Sequence, residues 1–128
     1  MSTLKTTVRI ESPDLFPQVI NFTNIAINQI NGSFNGFNTI TVELTDTKLN
    51  SGTIDGVSKT AYCYFSAPIT NLQTVLIKKG IDTDAFIKLA PGDIAVLPYG
   101  SMIAATNLYA YIPAIGNATL TYFIGEKD

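Results

Sequence analysis

The side chains that most often perform catalysis are scarce in this chain of 128 residues. The chain contains no histidine, so the commonest general base and metal ligand is missing, and its one cysteine is Cys63. Cys63 falls on the same face of an alternating segment as Ala61 and Phe65. Because free cysteines are among the most buried residues, we expect Cys63 to be a core residue rather than a nucleophile.

Acidic side chains are the remaining candidates for metal binding or acid–base chemistry. Asp82 and Asp84 lie close together in a predicted turn, but no further acidic residue is near them. Calcium takes about six to eight oxygen ligands, so this pair is insufficient. Glu43 alternates with apolar neighbours and should be exposed. We therefore predict that the chain is not an enzyme and has no catalytic residue, no metal site and no cofactor.

Tyrosines form two regular pairs. Tyr62 and Tyr64 alternate along one segment, and Tyr109 and Tyr111 alternate along another. Aromatic side chains in rows of this kind can form a carbohydrate platform or a subunit interface. The alternative is that both rows lie on inner faces of the fold, and the pattern leaves this choice open.

Short segments of alternating polarity must position these side chains, because a period of two is typical of half-buried strands. No long segment has a helical period. The whole chain, residues 1–128, is therefore predicted to be one all-β domain: a single antiparallel β-sandwich, jelly-roll-like, of about nine strands. Residues 31–38 contain two Asn-Gly dipeptides and are predicted to be a loop, since this dipeptide favours tight hairpin turns.

A stretch rich in proline and glycine organises the predicted sheets. Pro91 and Gly92 suit the two central positions of a type II turn, the second of which requires a positive φ. Ile94 to Leu97 then form an apolar run that is typical of a strand buried on both faces. Pro98 and Gly100 are predicted to form the turn that ends this strand.

Charge and hydropathy exclude several classes of partner. Charged residues make up only 14% of the chain, and the formal net charge is −2. The densest basic spot is Lys78-Lys79, which is too small for the clustered basic face of a nucleic-acid-binding protein. The first residues lack the apolar region of a signal peptide, and no window approaches the ~20 apolar residues of a membrane span. We predict neither nucleic acid nor membrane as a partner.

The second half of the chain carries a recognisable order of strands and turns. It comprises the apolar strand Val75-Leu76-Ile77, then Phe86-Ile87-Lys88-Leu89 leading into Pro-Gly-Asp, and the terminal strand Leu120-Thr121-Tyr122-Phe123-Ile124. In this order it resembles small bacteriophage virion proteins of the β-sandwich kind, such as head-decoration and head- or tail-associated proteins.

This resemblance implies a non-enzymatic structural component of a phage particle, most typically a capsid decoration (cement) protein. Such a protein would be a homo-oligomer, for example a trimer, that binds the major capsid protein or another virion protein. It would be located in the virion after assembly in the host cytoplasm. One alternative is a tail or head-fibre component, and another is a lectin-like carbohydrate-binding module that uses the tyrosine pairs.

A second resemblance concerns the corner around Pro98. Gly92, Pro98, Gly100 and Asn107 have the spacing of the second cupin motif, but Ile103 stands where that family has a metal-binding histidine. This resemblance implies a jelly-roll corner without the metal ligands of the cupins.

Overall fold

A computed structural model describes residues 2–4, 7–11, 14–15, 20–23, 28–34, 37–49, 60–80, 84–99 and 107–127. Within these ranges the chain forms twelve β-strands and no helix, so the all-β prediction is confirmed. The sequence predicts about nine strands. Six of the observed strands have only two to four residues, and strands this short are not all distinguishable in the sequence pattern. The strands are β1 (Ser2–Leu4), β2 (Thr7–Ile10), β3 (Ile20–Thr23), β4 (Asn28–Phe34), β5 (Asn38–Val42), β6 (Thr47–Lys48), β7 (Thr60–Ser66), β8 (Val75–Lys79), β9 (Ile87–Leu89), β10 (Ile94–Tyr99), β11 (Leu108–Tyr111) and β12 (Ala118–Lys127).

The strands form three antiparallel sheets. The larger sheet has the order β1-β4-β12-β7-β10, with β5 also paired to β12, and the smaller sheet has the order β6-β11-β8-β9. β2 and β3 form a separate pair. β12 organises the larger sheet because β7 runs along one side of it, whereas β5 and β4 follow one another along the other side.

The core lies between the larger and the smaller sheet. Along β5, β8 and β11, for example, more buried and less buried side chains alternate, as the sequence predicts for strands with one face turned inward. The fully buried members from the larger sheet are Val42, Cys63, Phe65, Leu120 and Ile124, and those from the smaller sheet are Val75, Ile77, Leu108 and Ala110. This arrangement is an antiparallel β-sandwich, whereas the jelly-roll connection stays a prediction.

The predicted loop at residues 31–38 is wrong in its first half. Asn31, Gly32, Ser33 and Phe34 belong to β4, which pairs with β1 on one side and with β12 on the other. Ile30 pairs with Lys127 and Phe34 with Gly125, so a step of four residues along β4 matches a step of two along β12, and Asn31-Gly32 falls within this irregularity. Glycine inside a strand often marks a bulge of this kind, so the dipeptide is accommodated without ending the strand. The second dipeptide, at 35–36, lies outside the described residues.

The turn from Ala90 to Asp93 has the geometry that a type II turn requires. The Asp93 N–H donates to the carbonyl of Ala90 at 2.9 Å, and Gly92 has a φ of +93°. The Gly92 N–H donates to the carbonyl of Ala67 at 2.8 Å, which ties the turn to the end of β7. The Asp93 carboxylate also accepts a bond from the Ala90 N–H at 2.9 Å.

Two expectations about the following strand need correction. Pro98 does not end it in a turn, because it lies inside β10 opposite Tyr62. The run from Ile94 to Leu97 is not buried on both faces, since Ile94 is 63% exposed and Val96 is 38% exposed. Both differences have one cause: among the described strands β10 lies at the edge of its sheet, where proline and a solvent-facing side are tolerated. Gly100 lies outside the described residues.

Candidate functional site

The tyrosine pairs lie on different sheets, so they do not form one surface. Tyr64 belongs to β7 of the larger sheet, and Tyr109 and Tyr111 belong to β11 of the smaller sheet. Each of the three is half-buried and alternates with fully buried neighbours, which places it on the outer face of its sheet. Tyr62 is also in β7, but its side chain lies outside the described part of the structure.

Tyr64 belongs to an aromatic cluster on the outer face of the larger sheet. It lies directly opposite Phe123 of β12, and the two rings are stacked with their centroids 5.9 Å apart. Phe37 contacts both rings edge-on, at 5.8 Å from Tyr64 and 5.2 Å from Phe123. Offset-stacked and edge-to-face pairs are the favourable aromatic geometries. Phe37 covers the cluster but is itself 70% exposed.

The edge of this face is also apolar. Val96 is paired with Tyr64 on the side away from Phe123, and Ile94 precedes it on the same face of β10. Phe37, Tyr64, Val96 and Ile94 therefore extend the apolar surface from the middle of the sheet to its edge. Apolar patches of this kind on a protein surface are typical of contacts with a partner.

Tyr109 and Tyr111 lie on a face of different chemistry. Lys48 of β6 and Lys78 of β8 are the register partners of Tyr109 on its two sides. Leu76 is the partner of Tyr111, and Lys88 of β9 is paired with Leu76. The outer face of the smaller sheet thus combines two tyrosines with three lysines.

Lys78 is held in place on this face. Its Nζ lies 2.7 Å from Asp46 Oδ2 and 5.3 Å from the centroid of the Tyr111 ring. The ion pair and the cation–π contact fix the ammonium group over the tyrosine. Lys48 and Lys88, by contrast, are exposed. Sequence reasoning missed this lysine grouping because its members come from three strands, and only the register brings them to one face.

The loops at one end of the sandwich form another candidate surface. The loops 43–46, 67–74 and 112–117 are joined by bonds from Ile112 N–H to the Glu43 carbonyl and from Gln73 Nε2 to the Ile115 carbonyl, at 3.0 and 3.1 Å. They expose four large apolar side chains: Leu44 at 49%, Ile69 at 81%, Leu72 at 94% and Ile115 at 89%.

An open depression of about 320 Å³ lies between two of these loops. The residues that line it are Glu43, Leu44, Thr45, Ile115, Gly116 and Asn117. Glu43 supplies the one carboxylate of this lining, and it is exposed, as the alternation around it predicts. A depression of this composition offers apolar contact and a few hydrogen-bonding groups to a partner.

The chemistry of the buried residues is that of a core. Burial raises the pKa of the Cys63 thiol from 9.0 to about 12, so the thiolate needed for nucleophilic attack is suppressed at neutral pH. Burial also raises the pKa of Tyr122, whose hydroxyl donates to the Leu49 carbonyl at 2.8 Å. Both side chains thus remain neutral inside the sandwich.

The described ranges contain no group of three or more histidine, cysteine or acidic side chains that could hold a metal ion. They also contain no helix that is long and apolar enough to cross a membrane. Comparison with protein-family models, with curated proteins and with solved structures finds no match to this chain.

Proposed function

We propose that the chain is a non-enzymatic structural component of a bacteriophage particle, a capsid decoration protein that forms homo-oligomers and binds the capsid shell. The phage assignment rests on the resemblance of residues 75–126 to virion β-sandwich proteins. The observation that carries the binding role is the end of the sandwich at which Leu44, Ile69, Leu72 and Ile115 are exposed together.

Exposed apolar loops at one end of the sandwich are consistent with a protein that binds a larger surface through that end. Side chains as large as leucine and isoleucine are ordinarily scattered singly on monomer surfaces, whereas contiguous groups mark interaction sites. Hydrogen bonds join loop 112–117 to loop 43–46 and to loop 67–74, so the loops that carry these side chains meet at one end of the sandwich. Burying it against a shell would remove this apolar area from water.

The outer face of the larger sheet supports self-association. Its apolar side chains Phe37, Ile94 and Val96 are exposed on a sheet face rather than on the loops, so they form a second apolar surface. Charged residues are depleted in interface cores, and this chain has few of them. The threefold symmetry named above follows from the resemblance alone.

The test is the composition of phage particles whose genome encodes this chain. We expect mass spectrometry of purified particles to find the chain at a copy number comparable to that of the major capsid protein. Purified chain should also bind shells assembled without it. Absence from the particle would overturn the proposal, and a few copies per particle would favour a tail or head-fibre component.

One observation favours carbohydrate binding as a second candidate function. Tyr109 and Tyr111 are side by side on one outer face, about 7 Å apart along the strand. Aromatic rings in a row can stack against successive sugar units, and Lys48 and Lys88 can bond their hydroxyl or acidic groups. Retention on a glycan resin that is lost in Tyr109→Ala and kept in Phe37→Ala would support this function.

A further inference from the structure

β10 forms one edge of the larger sheet. Among the described residues it pairs with β7 alone. Natural edge strands are usually short, charged or covered, because unpaired N–H and C=O groups invite pairing with another chain. β10 has six residues and no charge, and it exposes Ile94 and Val96. Pro98 is the one protective residue within it.

The register shows which backbone groups of β10 point away from β7. The Ala67 N–H donates to the Asp93 carbonyl at 3.0 Å, so this pair is hydrogen-bonded. Along an antiparallel ladder, hydrogen-bonded pairs alternate with non-hydrogen-bonded pairs. Ala95 and Leu97 therefore bond to β7, whereas the N–H and C=O groups of Ile94 and Val96 point to the open edge.

Pro98 falls at the next outward position, opposite Tyr62. Its lack of an N–H therefore costs no bond to β7, which explains why proline is accommodated there. The open edge presents two N–H donors, from Ile94 and Val96, and three carbonyl acceptors, from Ile94, Val96 and Pro98.

We propose that this edge pairs with β10 of a second copy of the chain, antiparallel and about a two-fold axis at Val96. The Val96 N–H of each copy then donates to the Val96 carbonyl of the other. The Ile94 N–H of each copy donates to the Pro98 carbonyl of the other. Every outward donor finds an acceptor in this register, although each strand contains a proline.

The charges near the edge favour this antiparallel arrangement of two identical strands. Residues 94–99 carry no charge, and the nearest charged side chain is Asp93. Antiparallel pairing separates the two Asp93 carboxylates by about 20 Å, given ~3.4 Å per residue along a strand. Parallel pairing would place them side by side. A charged peptide, in turn, would find no opposite charge on β10 to select it.

The pairing would also join the apolar outer faces of two copies. Val96 would lie against Val96 of the second copy, so these partly exposed side chains would contact each other. Ile94 of each copy would be the register partner of Pro98 in the other. This inference rests on the proposed homo-oligomer and names its contact. It predicts even-numbered assemblies built from pairs rather than the trimer that the resemblance implies.

The experiment measures the mass of the wild-type chain and of two variants by size-exclusion chromatography with light scattering. Val96→Pro removes one outward N–H and leaves the ladder to β7 intact. Ile94→Lys places a charge on the edge and keeps the proposal testable if the proline variant does not fold. Ile115→Lys is the matched control, because Ile115 is an exposed isoleucine in the loop end.

We expect the wild type and Ile115→Lys to have twice the 13.8 kDa mass of one chain, or a higher even multiple. Val96→Pro and Ile94→Lys should weaken the pairing by about tenfold or more while they keep the wild-type circular dichroism spectrum. An oligomer that neither variant weakens, or a trimer, would overturn the edge contact and leave the proposed oligomer intact. A wild-type monomer at tens of micromolar would overturn both.

Discussion

Gly92 is the residue whose backbone conformation most restricts substitution in the turn before β10. Its φ of +93° is disfavoured for every residue with a β-carbon, and most strongly for β-branched ones. A β-carbon there would meet only side-chain carbons of Ile69, at 3.8 Å, so space is not the obstacle. Any loss of stability on substitution therefore reports the strain of the turn itself.

Gly92→Val should lower the free energy of unfolding by about 1–3 kcal/mol, the usual cost of a strained backbone conformation. That is a large part of the roughly 5–15 kcal/mol by which such domains are stable. Urea denaturation of the variant and the wild type measures the difference. Pro91→Ala, at the neighbouring exposed position, is the control and should cost less. Equal stability of Gly92→Val and the wild type would show that the turn tolerates strain.

Cys63 should make the fold sensitive to alkaline pH. The pKa of its thiol is 9.0 in the unfolded chain and about 12 in the folded chain, because burial opposes ionisation. The contribution of the Cys63 thiol to stability is therefore complete below about pH 9. It is lost as the pH rises from the pKa of the unfolded chain to that of the folded chain. Between about pH 8 and pH 10 the free energy of unfolding should fall by about 1 kcal/mol through this group.

The measurement is urea denaturation at both pH values for the wild type and Cys63→Ala. The variant is expected to be less stable at each pH, since it leaves a small cavity, but its stability should depend less on pH. Tyr122, whose pKa is also raised by burial, remains in both proteins and cancels in the comparison. Identical pH slopes would mean that Cys63 ionises as easily in the folded chain as in the unfolded chain.

At the scale of elements, one side chain replaces a strand neighbour. Asn71 lies in the loop after β7, and its amide bonds the backbone of Thr119 in β12 twice: Nδ2 donates to the Thr119 carbonyl, and Oδ1 accepts from the Thr119 N–H, both at 2.8 Å. Asn71 thus supplies hydrogen-bond partners to the backbone near the start of β12. It also attaches the loop that carries Ile69 and Leu72 to this strand.

Asn71→Ala should therefore destabilise the fold by about 1–3 kcal/mol, because it leaves two backbone groups of Thr119 without partners. Asn117→Ala is the matched control, since Asn117 is an exposed asparagine at the same end of the sandwich. Thermal denaturation of both variants makes the comparison. If the two variants lost equal stability, the double bond to Thr119 would not matter for the fold.

The strands themselves were largely predictable from the sequence, because burial of one sheet face imposes a period of two on side chains. The alternation around Cys63 correctly identified a buried position. Pairing was not predictable in the same way, since register depends on residues distant in the chain. This is why Asn31-Gly32 is found in β4 instead of a loop, and why Pro98 lies within an edge strand.

The candidate surfaces, too, were predictable only as far as they depend on residues close together in the sequence. The sequence identified Tyr64, Tyr109 and Tyr111 as candidate surface residues but could not assign them to the inner or the outer face of a sheet. In these segments the tyrosines and the residues that alternate with them are all apolar or aromatic, so polarity does not distinguish the two faces. Only the sheet order shows that Tyr64 and the pair on β11 lie on different sheets. The lysines beside Tyr109 and the apolar loop end were equally invisible, since each combines residues from separate elements.

At the scale of the whole molecule, the surfaces differ in chemistry. The outer face of the larger sheet exposes Phe37, Ile94 and Val96, and the loop end exposes Leu44, Ile69, Leu72 and Ile115. The outer face of the smaller sheet carries Lys48, Lys78 and Lys88. Attachment to a shell through the loop end should therefore be driven by apolar burial. Attachment through the lysine face would instead weaken as salt screens the charges.

The two modes of attachment can be separated with shells assembled in the absence of this chain. We expect Leu72→Ser combined with Ile115→Ser to abolish co-sedimentation with these shells, whereas Lys88→Ser, the control on the lysine face, should bind like the wild type. Leu72 and Ile115 are both almost fully exposed, so the double variant should keep the wild-type melting temperature. Raising the salt concentration from about 0.1 M to about 1 M should leave wild-type binding unchanged or stronger, because added salt screens charges but does not weaken apolar burial. Binding that falls steeply with salt and is lost in Lys88→Ser would contradict attachment through the loop end.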